Sequence, residues 1–301
     1  MIKNYRKPGK ENEILGLIFE TNSKGTKVHL STEKITKLTA CVDSIIEGTS
    51  ILDQKICGKL AWFTQSLIGR VGRSDVRHLI RVSRGSINFK EDLTDPLTES
   101  LQNIQHLLQN AILYSREIEQ ECGTAFTDHI ICYSDADDLN TERGILAGLV
   151  PRQDSVDEGQ YFSLEINIKN SEIWAVKEKT ILPFELLAAY LTICNFKANN
   201  HRTIIFIDST AAECILRRGS SSTRFINHLV GKMWRSLASS VLRGELMDFV
   251  VSRVNTRNNL ADAPSRKKWY SVQAKRRIKP KVPTWVLEYI TTNDEIEVVS
   301  N

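Results

Sequence analysis

Apolar positions near the start of the chain recur in two short runs, Ile14-Leu-Gly-Leu-Ile-Phe19 and Lys27-Val-His-Leu30, separated by a polar turn around Asn22 to Gly25. This pattern predicts a β-hairpin. The period then changes. Ser31 offers an N-cap, Glu33 sits in the first turn, and Ile35, Leu38, Val42 and Ile45 follow at helical spacing until Gly48. A second helix carries Leu52, Ile56, Leu60, Phe63 and Leu67 before Gly69, and a third runs from Ser74 through Ile80. Asp95-Pro96 opens a fourth, with Leu101, Ile104, Leu108 and Ile112 facing inward. Residues 1–120 therefore read as a hairpin followed by helices.

After Cys122-Gly123 the runs His129-Ile-Ile-Cys-Tyr133, Gly144 to Val150 and Tyr161 to Ile168 are strand-like and close enough together for an antiparallel meander. Helices and strands alternate from there: Pro183 to Cys194 helical, Thr203 to Ile207 a buried strand, Thr210 to Arg217 and Thr223 to Leu242 helical, Leu246 to Ser252 a last strand. Three antiparallel strands followed by alternating helices and strands define an α/β domain, a mixed sheet with flanking helices, over residues 121–270. The remainder, 271–301, reads as a basic C-terminal tail.

A chain of 301 residues, 41% hydrophobic, is long enough for two cores. The 40 basic residues against 36 acidic ones say little by their sum. Their distribution says more: eight basic residues and no acid lie between Arg266 and Lys281, and Lys3, Arg6, Lys7 and Lys10 form a smaller cluster. The six cysteines never approach a C-x-x-C spacing, which argues against structural zinc. No apolar run approaches the roughly 18 residues of a membrane span and the first residues lack a signal-peptide core, so an intracellular setting, cytoplasmic or nuclear, with reduced thiols is expected.

Four acids carry the candidate chemistry. Asp135 and Asp208 each follow an apolar run, Ile130 to Tyr133 and Ile204 to Ile207, and so stand at the ends of buried strands. Neighbouring strands would bring the two carboxylates side by side, their repulsion relieved by a hard cation. Glu185 lies in what reads as the first turn of the apolar helix Phe184-Glu-Leu-Leu-Ala-Ala-Tyr190. Asp262 sits in Asn259-Leu-Ala-Asp-Ala-Pro-Ser-Arg266, after the last strand. Two Mg²⁺ ions roughly 4 Å apart in such a cluster suit phosphodiester hydrolysis. No serine, cysteine or histidine constellation competes. Bland readings stand beside these: Glu185 as a first-turn acid facing the helix dipole, Asp262 as a helix cap.

The order strand-Asp135, helix-Glu185, strand-Asp208 and then Asn259-Leu-Ala-Asp-Ala-Pro-Ser-Arg266 resembles the RNase H domain of reverse transcriptases, especially those of DIRS-type retroelements, hepadnaviruses and related elements. Ile207-Asp-Ser-Thr-Ala-Ala212 and Leu216-Arg-Arg-Gly-Ser220 agree with it. The resemblance spans about Asp128 to Trp269. It implies an RNase H-like fold, Mg²⁺ or Mn²⁺ held by Asp135, Glu185, Asp208 and Asp262, and cleavage of RNA in an RNA–DNA hybrid. More weakly, Ile14 to Phe19 with Lys55-Ile-Cys-Gly-Lys-Leu60 resembles the thumb and connection downstream of a reverse-transcriptase palm, which implies the polymerase portion of the same element as a partner. The polymerase's Y-x-D-D hairpin is missing: Tyr133-Ser-Asp-Ala136 ends in alanine. No DNA synthesis is expected from this chain alone.

Candidate nucleic-acid contacts are Arg217, Arg218 and Ser220 ahead of one helix, and Arg266, Lys267 and Lys268 beside Trp269-Tyr270, where the aromatic pair offers a stacking surface. Trp62, Trp174 and Trp234 lie in apolar patterns and read as core. Lys275-Arg-Arg-Ile-Lys-Pro-Lys281 reads equally as a phosphate-contacting tail, a solvated charge run or a nuclear-targeting segment. Asp137, Asp138 and Glu142 make the turn after Asp135 unusually acidic, the feature that favours a catalytically inactive RNase H-like module that binds nucleic acid or a partner without cutting. A transposase- or integrase-like DNA nuclease is disfavoured by the Ala-Asp-Ala-Pro-Ser-Arg ending.

Overall fold

The computed structural model describes residues 11–14, 16–21, 25–85, 96–119, 129–140, 142–152, 159–169, 181–199, 201–246, 248–269, 272 and 275–300. The N-terminal basic cluster, the turn at Asn22, Trp174 and Tyr270 lie outside them. The chain divides into two compact units, Met1–Thr124 and Ala125–Asn301.

In the first unit β1 (Glu11–Ile14), β2 (Leu17–Thr21), β3 (Gly25–Leu30) and β4 (Arg116–Glu119) form an antiparallel sheet in that order. The run expected as one strand, Ile14 to Phe19, is two: the chain reverses at Gly16 and pairs Ile14 with Leu17. Four helices follow β3: α1 (Thr32–Ile46), α2 (Gln54–Phe63), α3 (Arg73–Ser83) and α4 (Pro96–Gln109). Their starts obey local chemistry. Ser31 accepts a hydrogen bond from the Lys34 amide, and Asp53 accepts one from the Ile56 amide at 2.6 Å. Val42, Leu60, Phe63, Leu79 and Ile104 are fully buried. Two sequence expectations fail here. α4 ends before Ile112, leaving that residue exposed, and Trp62 is also exposed rather than core.

The second unit is built on a mixed sheet. β5 (His129–Asp138), β6 (Arg143–Val150) and β7 (Gln160–Ile168) form the antiparallel meander, while β8 (Arg202–Ile207) adds parallel to β5 and β9 (Asp248–Arg253) parallel to β8. The order is therefore β7-β6-β5-β8-β9. Helix α5 (Ile181–Phe196) bridges β7 to β8, and α6 (Thr210–Arg218) with α7 (Arg224–Leu242) bridges β8 to β9. An unbroken buried stretch from Pro183 to Ile193 makes α5 apolar on nearly every side, as a central helix must be. It lies very close to β6. A Cβ at Gly144 would fall 2.6 Å from the Phe184 ring, and one at Gly148 would fall 2.4 Å from both Phe162 and Thr192 Oγ1. Glycine at these positions lets the helix carrying Glu185 settle on the sheet.

Residues 276–300 are not the basic tail the charge run predicted. β10 (Arg276–Arg277) pairs parallel with one end of β7, and β12 (Ile290–Thr291) pairs antiparallel with its other end. β11 (Lys281–Pro283) pairs with β13 (Glu297–Val299), and a 3₁₀ turn spans Thr284–Glu288. Val282, Trp285, Val286 and Ile290 enter the main core. The charged side chains face outward while these apolar ones anchor the segment, so burial, not charge, decides its conformation.

Candidate active site

Asp135 lies inside β5 rather than at its end. β5 runs on through Asp137 and Asp138, which pair with Ile145 and Gly144, so the expected acidic turn is largely strand. The turn itself is held by Asn140, whose Oδ1 accepts from the Glu142 and Arg143 amides. On its other edge β5 pairs Tyr133 with Phe206 of β8, and two residues past that pair on each strand stand Asp135 and Asp208. Parallel register thus sets the two carboxylates side by side. Glu185 comes from α5, in its second turn rather than its first, which removes the helix-dipole reading.

One carboxylate oxygen from each of Asp135, Glu185 and Asp208 lies within 4.8 Å of the others. Asp135 and Glu185 are buried, at 5% and 7% exposure, and Asp208 is half-buried. Among the described residues no cation pairs with any of the three. The electrostatic consequences are large. Burial pushes the Asp135 carboxyl up to about 7, opposed by a hydrogen bond from Ser265 and reinforced by the charges of Asp208 and Asp262. Burial, then the charges of Asp135 and Asp208, push Glu185 to about 9. Glu185 Oε2 is buried without a hydrogen-bond partner among the described residues. Three hard oxygen donors, crowded and short of positive charge, fit a divalent cation of the Mg²⁺ or Mn²⁺ type.

Asp262 does not join this group. It is the first residue of the one-turn helix α8 (Asp262–Ser265), not its cap. Its Oδ1 accepts from Arg266 Nε at 2.7 Å and its Oδ2 lies 3.5 Å from Lys268 Nζ. Arg266, four residues on, shares its helix face and takes the carboxylate. The expectation that four acids converge becomes three acids with a fourth, ion-paired neighbour whose charge still reaches Asp135.

Two residues that went unassigned in the sequence do reach the cluster. Ser265 Oγ donates to Asp135 Oδ2 at 2.5 Å, and Asn259 Nδ2 lies 3.4 Å from Oδ1. Both belong to the segment quoted for the resemblance, where only Asp262 was given a role; polar residues flanking an acid in an otherwise apolar stretch were the available signal.

The expected nucleic-acid contacts are distributed as follows. Arg217 and Arg218 are exposed at the end of α6, Arg217 paired with Glu213 at 2.9 Å, whereas Ser220 is buried. Lys267 takes a left-handed backbone, φ 55°, and pairs with Glu165 at 2.7 Å; Glu165 also pairs with Arg143. Trp269 is 38% exposed and lies under the Arg277 guanidinium at 5.5 Å. Beside Asp262 a cavity of about 500 Å³ is lined by Arg257, Arg266, Lys268 and Lys275 with Asp262 as its one acid.

Strand order and register define a domain of mixed α/β class with three carboxylates gathered beside its sheet. No family model matches the chain, and no curated protein matches it. Among solved structures, RNase H1 of the halophilic archaeon Halobacterium salinarum aligns at 14% identity over 47% of this chain and 98% of its own, with a TM-score of 0.35. The N-terminal RNase H domain of a Mycobacterium tuberculosis protein, solved as a fusion with maltose-binding protein, aligns at 12% identity over 48% and 97%, with a TM-score of 0.31.

The raised Glu185 carboxyl has a measurable consequence without metal. From about pH 4.5, its ordinary value, to about 9, the folded protein keeps a proton that the unfolded chain has released, so stability falls as pH rises through that window. Glu185→Gln removes this loss. In EDTA at pH 8 its thermal midpoint should exceed that of the unmodified protein by several degrees, with the gap closing at pH 5. An equal or lower midpoint at pH 8 would show that burial costs Glu185 little.

Proposed function

We propose that this protein is a metal-dependent endonuclease that cuts the RNA strand of RNA–DNA hybrids, as the C-terminal part of a retroelement reverse transcriptase. The observation that carries the reading is the group of Asp135, Glu185 and Asp208, drawn from β5, α5 and the end of β8, with one carboxylate oxygen of each within 4.8 Å of the others. These three residues would hold Mg²⁺ or Mn²⁺, two ions in this reading. Divalent metal, when bound, supplies water activation and stabilisation of the leaving 3′-oxygen. The chain's own contribution is to keep three carboxylates ionisable, close and largely shielded from water, so that charge is concentrated where phosphate chemistry needs it. Arg257, Arg266, Lys268 and Lys275 around the neighbouring cavity would meet backbone phosphates of the hybrid, with Arg217 and Arg218 as further contacts. Residues 1–120 take the place of thumb and connection, the polymerase portion being a partner from the same element, in a cytoplasmic or nuclear setting. Among the described residues no helix is long and apolar enough to cross a membrane.

A second reading is favoured by one feature. Asp262 is occupied by Arg266 and Lys268, as it would be in a module that binds nucleic acid or a partner without cutting. Purified protein incubated with hybrid, single-stranded RNA and duplex DNA in Mg²⁺ or Mn²⁺ separates the two. RNA cut only in the hybrid supports the nuclease; salt-sensitive binding of an intact hybrid in both metals gives the scaffold reading, and cutting of duplex DNA gives a DNA nuclease instead.

A further inference from the structure

We propose that Ser265 and Asn259 are positioning residues that lock the Asp135 carboxylate in the orientation needed to share a metal with Glu185 and Asp208. This rests on the metal site proposed above and deepens it. Ser265 is fully buried and Asn259 is 4% exposed, so neither hydroxyl nor amide is placed for solvent. Ser265 Oγ lies 2.5 Å from Asp135 Oδ2 and 3.1 Å from the Asp262 carbonyl; a hydroxyl has one proton, and the shorter contact takes it. Asn259 is itself fixed. Its Nδ2 donates to the Ser134 carbonyl at 3.0 Å and approaches Asp135 Oδ1 at 3.4 Å, while its Oδ1 accepts from the Ala261 amide at 3.2 Å.

The two oxygens of Asp135 are therefore addressed by two different residues from one segment. A carboxylate otherwise turns freely about its last torsion, which is broad and roughly two-fold. Holding both ends removes that freedom, and each oxygen keeps a further lone-pair direction for a cation. Glu185 Oε2, by contrast, is buried without a hydrogen-bond partner among the described residues. Asp135 is thus the fixed member of the group, and the other two carboxylates complete the coordination around it. Partners of this kind typically change metal affinity about 10- to 100-fold when removed.

The test is Mn²⁺ titration of the full chain by calorimetry, with thermal unfolding in EDTA run in parallel. Ser265→Ala and Ser265→Cys should each bind Mn²⁺ about 10-fold more weakly than the unmodified protein while their metal-free midpoints stay within a few degrees of it. Cysteine keeps a bulkier group at this position and is only a weak donor, so it reads the hydrogen bond even if the alanine variant fails to fold. A role confined to packing would lower the midpoint and leave affinity alone; Mn²⁺ affinity within about twofold of the unmodified protein in a folded variant overturns the proposal. Unmodified protein that binds no Mn²⁺ overturns it as well. Unmodified protein that binds Mn²⁺ but leaves hybrid RNA whole sinks the nuclease reading alone, and the affinities of the variants still decide the role of Ser265.

Discussion

Asp208→Asn should lower cleavage of hybrid RNA by about 10³-fold or more while leaving hybrid affinity within about twofold. The amide keeps the shape of the carboxylate and its place beside Asp135 past the end of β8, but it removes one of three negative charges that would hold the metal. Binding would be separable if, as proposed, it comes from Arg and Lys contacts to phosphate, and affinity should then fall with salt at the same slope in variant and unmodified protein. The substitution also relieves the repulsion that Asp208 exerts on Asp135 and Glu185, moving both carboxyls back toward their ordinary range. Loss of binding together with loss of cleavage would show that Asp208 acts through the fold. Retained cleavage would remove it from the metal site.

The second large effect concerns the C-terminal segment. Ending the chain after Lys275 should abolish cooperative unfolding of the second unit, and Trp285→Ala alone should cost about 3–5 kcal/mol. Trp285 packs against Tyr190 of α5 with ring centroids 5.2 Å apart and donates from its indole nitrogen to the Tyr190 hydroxyl at 3.1 Å. Its neighbours Val282, Val286 and Ile290 are wholly buried. Truncation would open that side of the core and strip β7 of both its edge partners, exposing unpaired strand to other chains. Circular dichroism melts decide the matter. A truncated chain that melts cooperatively within a few degrees of the full one would make the segment peripheral.

Most of the second unit was legible because its strands and helices are long and strongly apolar. The misreadings share a cause, which is that local pattern was outweighed by a partner elsewhere in the chain. β5 continues through Asp137 and Asp138 because β6 offers Ile145 and Gly144 to pair with them. β4 escaped notice because four residues of mixed charge become a strand only when β3 lies alongside. In residues 276–300 the dense basic run drew attention from five buried apolar residues, Val282, Trp285, Val286, Tyr289 and Ile290, whose helical spacing is realised as short strands around a 3₁₀ turn. The acids at 135 and 208 could be named from their positions after apolar runs and Glu185 from its place in an apolar helix, whereas the capture of Asp262 was visible only in the fourth-neighbour Arg266, which was read as a phosphate contact instead.

The segment from Asn259 to Lys267 is fastened at both ends, by Asn259 to the Ser134 carbonyl in β5 and by Lys267 to Glu165 in β7. Ser265 lies between these anchors. The entropy of arranging the surroundings of Asp135 is therefore lost once, when the chain folds, and not again each time an ion or a phosphate arrives. A carboxylate held in this way would ask little rearrangement of its surroundings when a ligand arrives.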